Sequence, residues 1–168
     1  LNGYLEATGD YAGLSLLRFY LVYRALVRAK VACIRAQQSS LDPEQSVRAE
    51  REYLGYLSLA QALAQRGPRA LIVMHGLAGS GKTTVAQELL EACGAVRLRS
   101  DVERKRLQGL DARVRTGSAV GGGIYAPDLT AQTYAQLMAL SGVVLEAGYS
   151  AIVDATFLAR AQRGAFAK

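Results

Sequence analysis

Eight consecutive residues, Gly76-Leu77-Ala78-Gly79-Ser80-Gly81-Lys82-Thr83, bring three glycines, an ammonium and a hydroxyl together. Glycine tolerates backbone angles closed to other residues, so Gly76, Gly79 and Gly81 let the chain turn tightly and aim its N–H groups at a single anion. A helix beginning there adds the partial positive charge of its N-terminus. Lys82 then reaches the β- and γ-phosphates of a nucleoside triphosphate, the Thr83 hydroxyl ligates Mg²⁺, and Thr84 touches the α-phosphate. The residues satisfy the pattern G-x-x-x-x-G-K-[ST], the P-loop, and lie between an apolar run and a helical one, the context the mechanism demands. A glycine loop that merely joined strand to helix would have no use for a lysine and a threonine in this order. The expected nucleotide-binding set is therefore Gly76, Leu77, Ala78, Gly79, Ser80, Gly81, Lys82, Thr83 and Thr84, with ATP and Mg²⁺ as the groups bound.

Two carboxylates follow runs read as strands, at the sheet edge where open α/β sheets bind ligands. Asp154 closes Ala151-Ile152-Val153 and has the form of a Walker-B acid, holding Mg²⁺ together with Thr83; capping the next helix is the competing role. Asp101, in Arg99-Ser100-Asp101-Val102-Glu103-Arg104, is read as a general base that takes the proton of a substrate hydroxyl in line with the γ-phosphate. The competing role is an acid placed favourably for a helix dipole. Arg104 lies one helical turn further on the same face, where it holds a second anion or orients the Asp101 carboxylate. Lys82, Asp101 and Arg104 are thus the catalytic candidates, and Thr83 and Asp154 the metal candidates. His75, the only histidine, reads as a strand-end packing residue, and Lys105 and Arg106 as solvent-facing. Arg160 and Arg163 share a helix face that suits either solvent or substrate. Tyr125 and the glycine-bearing loop from Gly117 to Pro127 are expected to lie over the site in this topology, with no chemistry assigned to them.

These residues need a strand–loop–helix frame, and the pattern predicts one. Gly67 and Pro68 mark a boundary, after which Ala70 to His75 reads as a strand, Thr83 to Cys93 as a helix and Ala95 to Arg99 as a second strand. Ser100 is expected to cap a short helix through Leu107. A helix from Asp128 or Thr130 to Ala147 and a third strand, apolar on both faces as buried parallel strands are, complete the alternation. Residues 1 to 66 read as helix. Asp10 is the expected N-cap of one long amphipathic helix ending near Gln37, and Asp42-Pro43 opens a second that reaches about Gln65. The expectation is α/β: a P-loop parallel sheet in three layers, about three strands of it present, over 67–168, preceded by an α-helical hairpin in 1–66.

Composition narrows the class without naming a partner. Of 168 residues 51% are hydrophobic and 20% charged, which excludes disorder, and the 17 glycines follow no collagen period. The most apolar run, Leu14 to Ile34, is interrupted by Arg18, Arg24, Arg28 and Lys30, short of the roughly 20 apolar residues a membrane span needs. No membrane is expected. Cys33 and Cys93 are too few for a disulfide scaffold or zinc cluster, which points to a reducing cytoplasm. A net charge of +6 favours anionic ligands, but no lysine run marks a nucleic-acid tail.

From Ala70 onward the chain resembles the small P-loop kinases that include polynucleotide kinases, chloramphenicol phosphotransferase and zeta toxins. The likeness rests on Gly76 to Thr83, on Ser100-Asp101 with Arg104, and on Val153-Asp154-Ala155-Thr156-Phe157-Leu158 followed by Arg160 and Arg163. It implies transfer of the ATP γ-phosphate to a hydroxyl of a small molecule or nucleotide, nucleic acid entering only as a 5′-hydroxyl substrate, with Asp101 as base or hydroxyl ligand. A P-loop ATPase or a nucleotide-sensing regulatory module without an organic acceptor is the alternative. Residues 1 to 37, with Tyr4 to Tyr11 and Tyr23 to Lys30, resemble the last helices of an aminoglycoside-phosphotransferase-like domain, which implies an upstream domain joined to the kinase. The catalytic loops of that domain are absent from the chain, so none of its activity is carried over. Such kinases also use more strands and an arginine-bearing lid, so the 168-residue chain is expected to bind nucleotide weakly and turn over poorly or not at all.

Overall fold

A computed structural model describes every residue except 39–41, 78, 112–126 and 168. In chain order the elements are α1 (Asn2–Thr8), α2 (Leu14–Ala36), α3 (Pro43–Ala64), β1 (Leu71–Val73), α4 (Lys82–Cys93), β2 (Val96–Arg99), α5 (Ser100–Leu107), α6 (Pro127–Glu146), β3 (Ala151–Asp154) and α7 (Arg160–Ala165). The chain divides into two compact units, one of residues 1–12 and 68–168, the other of residues 13–67.

The first unit carries a parallel sheet in the order β1-β3-β2. Val73 pairs with Val153, and Arg99 with Asp154, so the C-terminal ends of the strands lie along one edge of the sheet. All four residues of β3 are buried, as its apolar composition requires of a central strand. Alternation sends Ile152 and Ile72 to one face, where Ala86, Leu89 and Leu90 of α4 cover them together with Met74 and Ala95. Val96, Leu98, Ala151 and Val153, also buried, take the other face, and α6 packs against β2 and β3. This is the α/β fold expected. Among the described residues the outer edge of β1 pairs with no strand.

The first twelve residues depart from expectation. Asp10 does not cap a long helix: Gly9, at φ 74°, ends α1, the Tyr4 hydroxyl donates to Asp10 Oδ2 at 3.0 Å, and α2 starts only at Leu14 with Gly13 as its N-cap. Instead of joining the hairpin, α1 packs on β2. The Asn2 side-chain amide donates to Ala95 O at 3.1 Å and accepts from Arg97 N at 2.7 Å, so one side chain completes the edge of β2 as another strand would. Arg106, expected to face solvent, binds the carboxylate of Glu103 and donates to Leu5 O (3.3 Å) and Glu6 O (2.7 Å) near the end of α1. A cation there opposes the partial negative charge of the helix C-terminus, and the Glu103 carboxylate offsets the cost of withdrawing the guanidinium from water. Tyr11 completes the anchor, donating to Glu103 Oε1 at 3.0 Å, with both side chains almost wholly buried.

In the second unit α2 and α3 pack through small side chains, Ala25, Ala29 and Ala32 on one helix and Ala49 and Ala60 on the other. Asp42 caps α3 as expected, its Oδ1 accepting from Gln45 N at 2.8 Å, with Pro43 at the first helical position. Arg18 closes the other end by donating to Leu63 O and Gln65 O.

Candidate functional site

The loop from Met74 to Gly81 leaves β1 and enters α4, and its glycines hold angles that side chains resist. Gly76 has φ 144°, Gly79 φ 77° and Gly81 φ 79°. At Gly76 space is also short, since a Cβ there would lie 2.9 Å from Ser80 Oγ. Gly81 is the N-cap of α4, so Lys82, Thr83 and Thr84 form the first helical turn, where the leading main-chain N–H groups of a helix lack i−4 acceptors, while Thr84 N already donates to Gly81 O at 3.0 Å. Lys82 folds back over the loop, its Nζ donating to Leu77 O and lying 3.4 Å from Ser80 Oγ. Ala78, expected to bind nucleotide, lies outside the described residues, as do Tyr125 and the Gly117–Gly123 stretch.

The structure brings the two expected metal ligands together. Thr83 Oγ1 donates to Asp154 Oδ2 at 3.0 Å, and Asp154 is only 7% exposed at the end of the central strand. A hydroxyl and a carboxylate are hard oxygen donors, and Mg²⁺ is usually held by one or two such groups together with water and phosphate oxygens. Among the described residues no cluster of three or more His, Cys, Asp or Glu side chains offers a self-sufficient metal site. The donor set therefore fits Mg²⁺ arriving with a nucleotide.

The segment after Asp154 is tied back to the loop. Gly76 N donates to Thr156 O at 3.1 Å, and His75, exposed, carries its proton on Nδ1 and donates to the same oxygen at 3.2 Å. Phe157 is the one positive-φ residue other than glycine among those described, at φ 47°, and is fully buried. Its N–H donates to the Tyr134 hydroxyl at 3.0 Å, and its carbonyl accepts from Arg163 Nη1 at 2.6 Å. Arg163 also donates to Leu158 O, so it braces this turn; Arg160 is exposed.

Asp101 lies in the first turn of α5, just beyond Arg99, the strand residue in register with Asp154. The cation bound to its carboxylate is Arg99, with Nη2 3.0 Å from Oδ2. Arg104, the partner anticipated from helical spacing, is 8% exposed one turn further on. Arg99, Tyr134 and Glu6 are the residues around the site that sequence reasoning passed over. A cation two positions before an acid at a strand end was a usable signal for Arg99, whereas nothing local marks the other two.

A strand, a glycine loop with lysine and threonine, a helix and an acid on the neighbouring parallel strand define a P-loop nucleotide-binding domain. A family model described as an AAA domain matches residues 71–168, and the chain belongs to that family, whose fold is P-loop kinase-like. The chain is also 35% identical over 159 residues to uncharacterised proteins of Mycobacterium tuberculosis (strain H37Rv) and Mycobacterium bovis (strain AF2122/97). These alignments cover 94% of the chain but 30% of the length of either relative, so the chain spans about a third of the curated proteins it matches. No solved structure matches it.

Proposed function

We propose that the protein is an ATP-dependent kinase that transfers the γ-phosphate to a hydroxyl of a small-molecule or nucleotide acceptor. The observation that carries the reading is the Thr83–Asp154 contact beneath a glycine loop already wound in phosphate-binding angles. In this reading loop amides between Gly76 and Thr84 hold the polyphosphate, the Gly76 N–H itself being bound to Thr156 O, and Lys82 offsets the charge that gathers on the transferred group. Mg²⁺, on Thr83 and Asp154, supplies charge neutralisation of the phosphate oxygens. Asp101 accepts the acceptor's hydroxyl proton as its oxygen bonds to the γ-phosphorus and the β–γ bridging bond breaks, releasing ADP. Arg104 assists by holding acceptor or carboxylate.

The same reading assigns the helical hairpin to a longer protein. Residues 1–66 carry the likeness to the end of an aminoglycoside-phosphotransferase-like domain, although 1–12 pack within the sheet unit, and 67–168 are the kinase. The exposed stripe of Leu16, Phe19, Tyr20, Tyr23 and Leu26 on α2 supports this, because so much apolar surface on one helix is a contact face awaiting cover. Among the described residues no helix is long and apolar enough to cross a membrane; a cytoplasmic location is part of the proposal.

The test uses full-length protein and labelled ATP against aminoglycosides, nucleosides, 5′-hydroxyl oligonucleotides and sugar nucleotides. Phosphorylation of one class, lost in Asp101→Ala while ATP binding persists, is expected. ATP hydrolysis untouched by Asp101→Ala, with no acceptor labelled, would instead establish an ATPase. Unchanged Mg-ATP binding by Lys82→Ala would remove the assignment altogether.

A further inference from the structure

We propose that Glu6, on a helix outside the family-matched segment, is a positioning residue for the site, holding Arg99 so that Arg99 in turn places the Asp101 carboxylate. The inference rests on the reading of Asp101 as proton acceptor.

Glu6 spans two guanidinium groups. Its Oε1 lies 3.0 Å from Arg97 Nη2 and its Oε2 3.5 Å from Arg99 Nη1, while the other terminal nitrogen of Arg99 holds Asp101 Oδ2 at 3.0 Å. The result is a row of alternating charge, Arg97, Glu6, Arg99, Asp101. Exposure rises along it, with side chains 11%, 19%, 30% and 44% accessible. The row is thus rooted in the protein and ends in solvent at Asp101, the group a substrate would meet.

Arginine has long rotamer freedom, and one anchor does not fix it; two opposed carboxylates on its two terminal nitrogens do. Glu6 is a firm anchor because α1 is itself held from three sides. Asn2 pairs with the edge of β2, Arg106 of α5 binds the last carbonyls, and the chain just beyond is held at Tyr11 by Glu103 of α5. Asp101 stands at the junction of these same two elements. Without Glu6 the guanidinium of Arg99 loses one of its two anchors, and the Asp101 carboxylate follows it wherever it relaxes. Displacement of a reacting group by even about 1 Å is enough for large losses of rate.

The experiment measures single-turnover hydrolysis of γ-labelled Mg-ATP by the full-length protein without added acceptor. Water is then the nucleophile, its proton passing to Asp101 as ADP and phosphate form. Glu6→Gln, near-isosteric, is expected to lower the rate about tenfold with the half-saturating Mg-ATP concentration unchanged. In an Asp101→Asn background it is expected to cause no further loss. Gly94→Ala, at the far end of α4 and outside the row, is the structural control: it should lower the melting temperature while sparing the rate. Equal rate losses in Glu6→Gln and Gly94→Ala would make the effect of Glu6 merely structural and overturn the proposal. If Glu6→Gln does not fold, Arg99→Gln, which leaves Glu6 paired with Arg97, decides in its place, and an unchanged rate there overturns it. An Asp101→Asn protein with normal turnover sinks the base reading, and this inference with it; a slowed Asp101→Asn beside a normal Glu6→Gln sinks the inference alone.

Discussion

The Thr83 hydroxyl donates to the Asp154 carboxylate at 3.0 Å although 71 positions separate them in the chain. One residue lies in the first turn of α4 and the other closes β3, so the bond exists only when the loop, helix and central strand are assembled together. Thr83→Val keeps the shape and removes the oxygen. It should leave metal-free nucleotide binding within about twofold and cut the gain in affinity on adding Mg²⁺ by about tenfold or more, the usual scale for losing a ligand-shell group. Titration of a fluorescent ATP analogue with Mg²⁺ or with EDTA makes the comparison. A Mg²⁺ gain equal to that of the unaltered protein would show that the pair does not hold the metal. Thr83→Val should also cost about 1–3 kcal/mol of stability, because buried Asp154 loses a donor.

Two glycines at opposite ends of α4 separate conformation from function. Gly76 precedes the helix at φ 144° and Gly94 ends it at φ 60°, with nothing within 4 Å of where a Cβ would sit at Gly94. Alanine at either position meets a backbone cost of about 1–2 kcal/mol. At Gly76 it also meets Ser80 Oγ at 2.9 Å, inside the loop that faces the phosphates. Gly94→Ala should therefore lower the melting temperature yet bind ATP normally, whereas Gly76→Ala should lose nucleotide binding by more than its stability loss explains. Calorimetry beside nucleotide titration distinguishes the two, and equal effects on binding would refute the local reading.

The contrast between what was legible and what was not follows sequence distance. The loop could be read because its chemistry demands particular residue types at consecutive positions, and Asp42 because a capping acid before proline acts within one helical turn. Asp154 was readable as the polar end of an unbroken apolar strand. The contacts of α1 were not, since Asn2 meets Arg97 and Tyr11 meets Glu103 across more than 90 residues, and periodicity carries no information at that range. Asp10 was misplaced as a cap for a related reason: it has the right residue type, but Gly9 stops one helix and Tyr4 takes its carboxylate. Arg99 was passed over as a partner of Asp101 because it stands on the strand end before the helix, where helical spacing does not look.

Tyr11 should reveal itself in alkaline solution. Burial, and then the negative charge of Glu103, push its hydroxyl well above the ordinary tyrosine value of 10.0. The folded state therefore retains a proton that the unfolded chain releases, so the stabilisation is complete below about pH 10 and is lost progressively as pH rises above it. Tyr11→Phe removes a donor to a carboxylate that is 1% exposed and should cost about 1–3 kcal/mol at neutral pH. Above about pH 10 the gap between the two proteins should shrink. Chemical denaturation at several pH values measures both, and a gap constant up to pH 11 would contradict the assignment.

Phe157 poses a choice between two opposing terms. Its φ of 47° is a conformation that glycine adopts freely and phenylalanine does not, at a cost of about 1–2 kcal/mol. Phe157→Gly would relieve that strain. The ring, however, is fully buried and meets Tyr134 and Phe166 edge to face, each with centroids 5.0 Å apart. Deleting a buried phenylalanine side chain costs about 3–5 kcal/mol, so packing outweighs strain and the variant should be destabilised by about 1–4 kcal/mol. Tyr134→Phe tests what enforces the strained angle: it keeps one ring contact but removes the acceptor for the buried Phe157 N–H, worth about 1–3 kcal/mol. Because this turn also carries the Thr156 carbonyl that receives Gly76 N–H and His75, loosening it should weaken ATP binding as well as stability. Urea denaturation with and without Mg-ATP reads both effects. A Phe157→Gly protein more stable than the parent would mean that strain, not the aromatic cluster, dominates the ground behind Asp154.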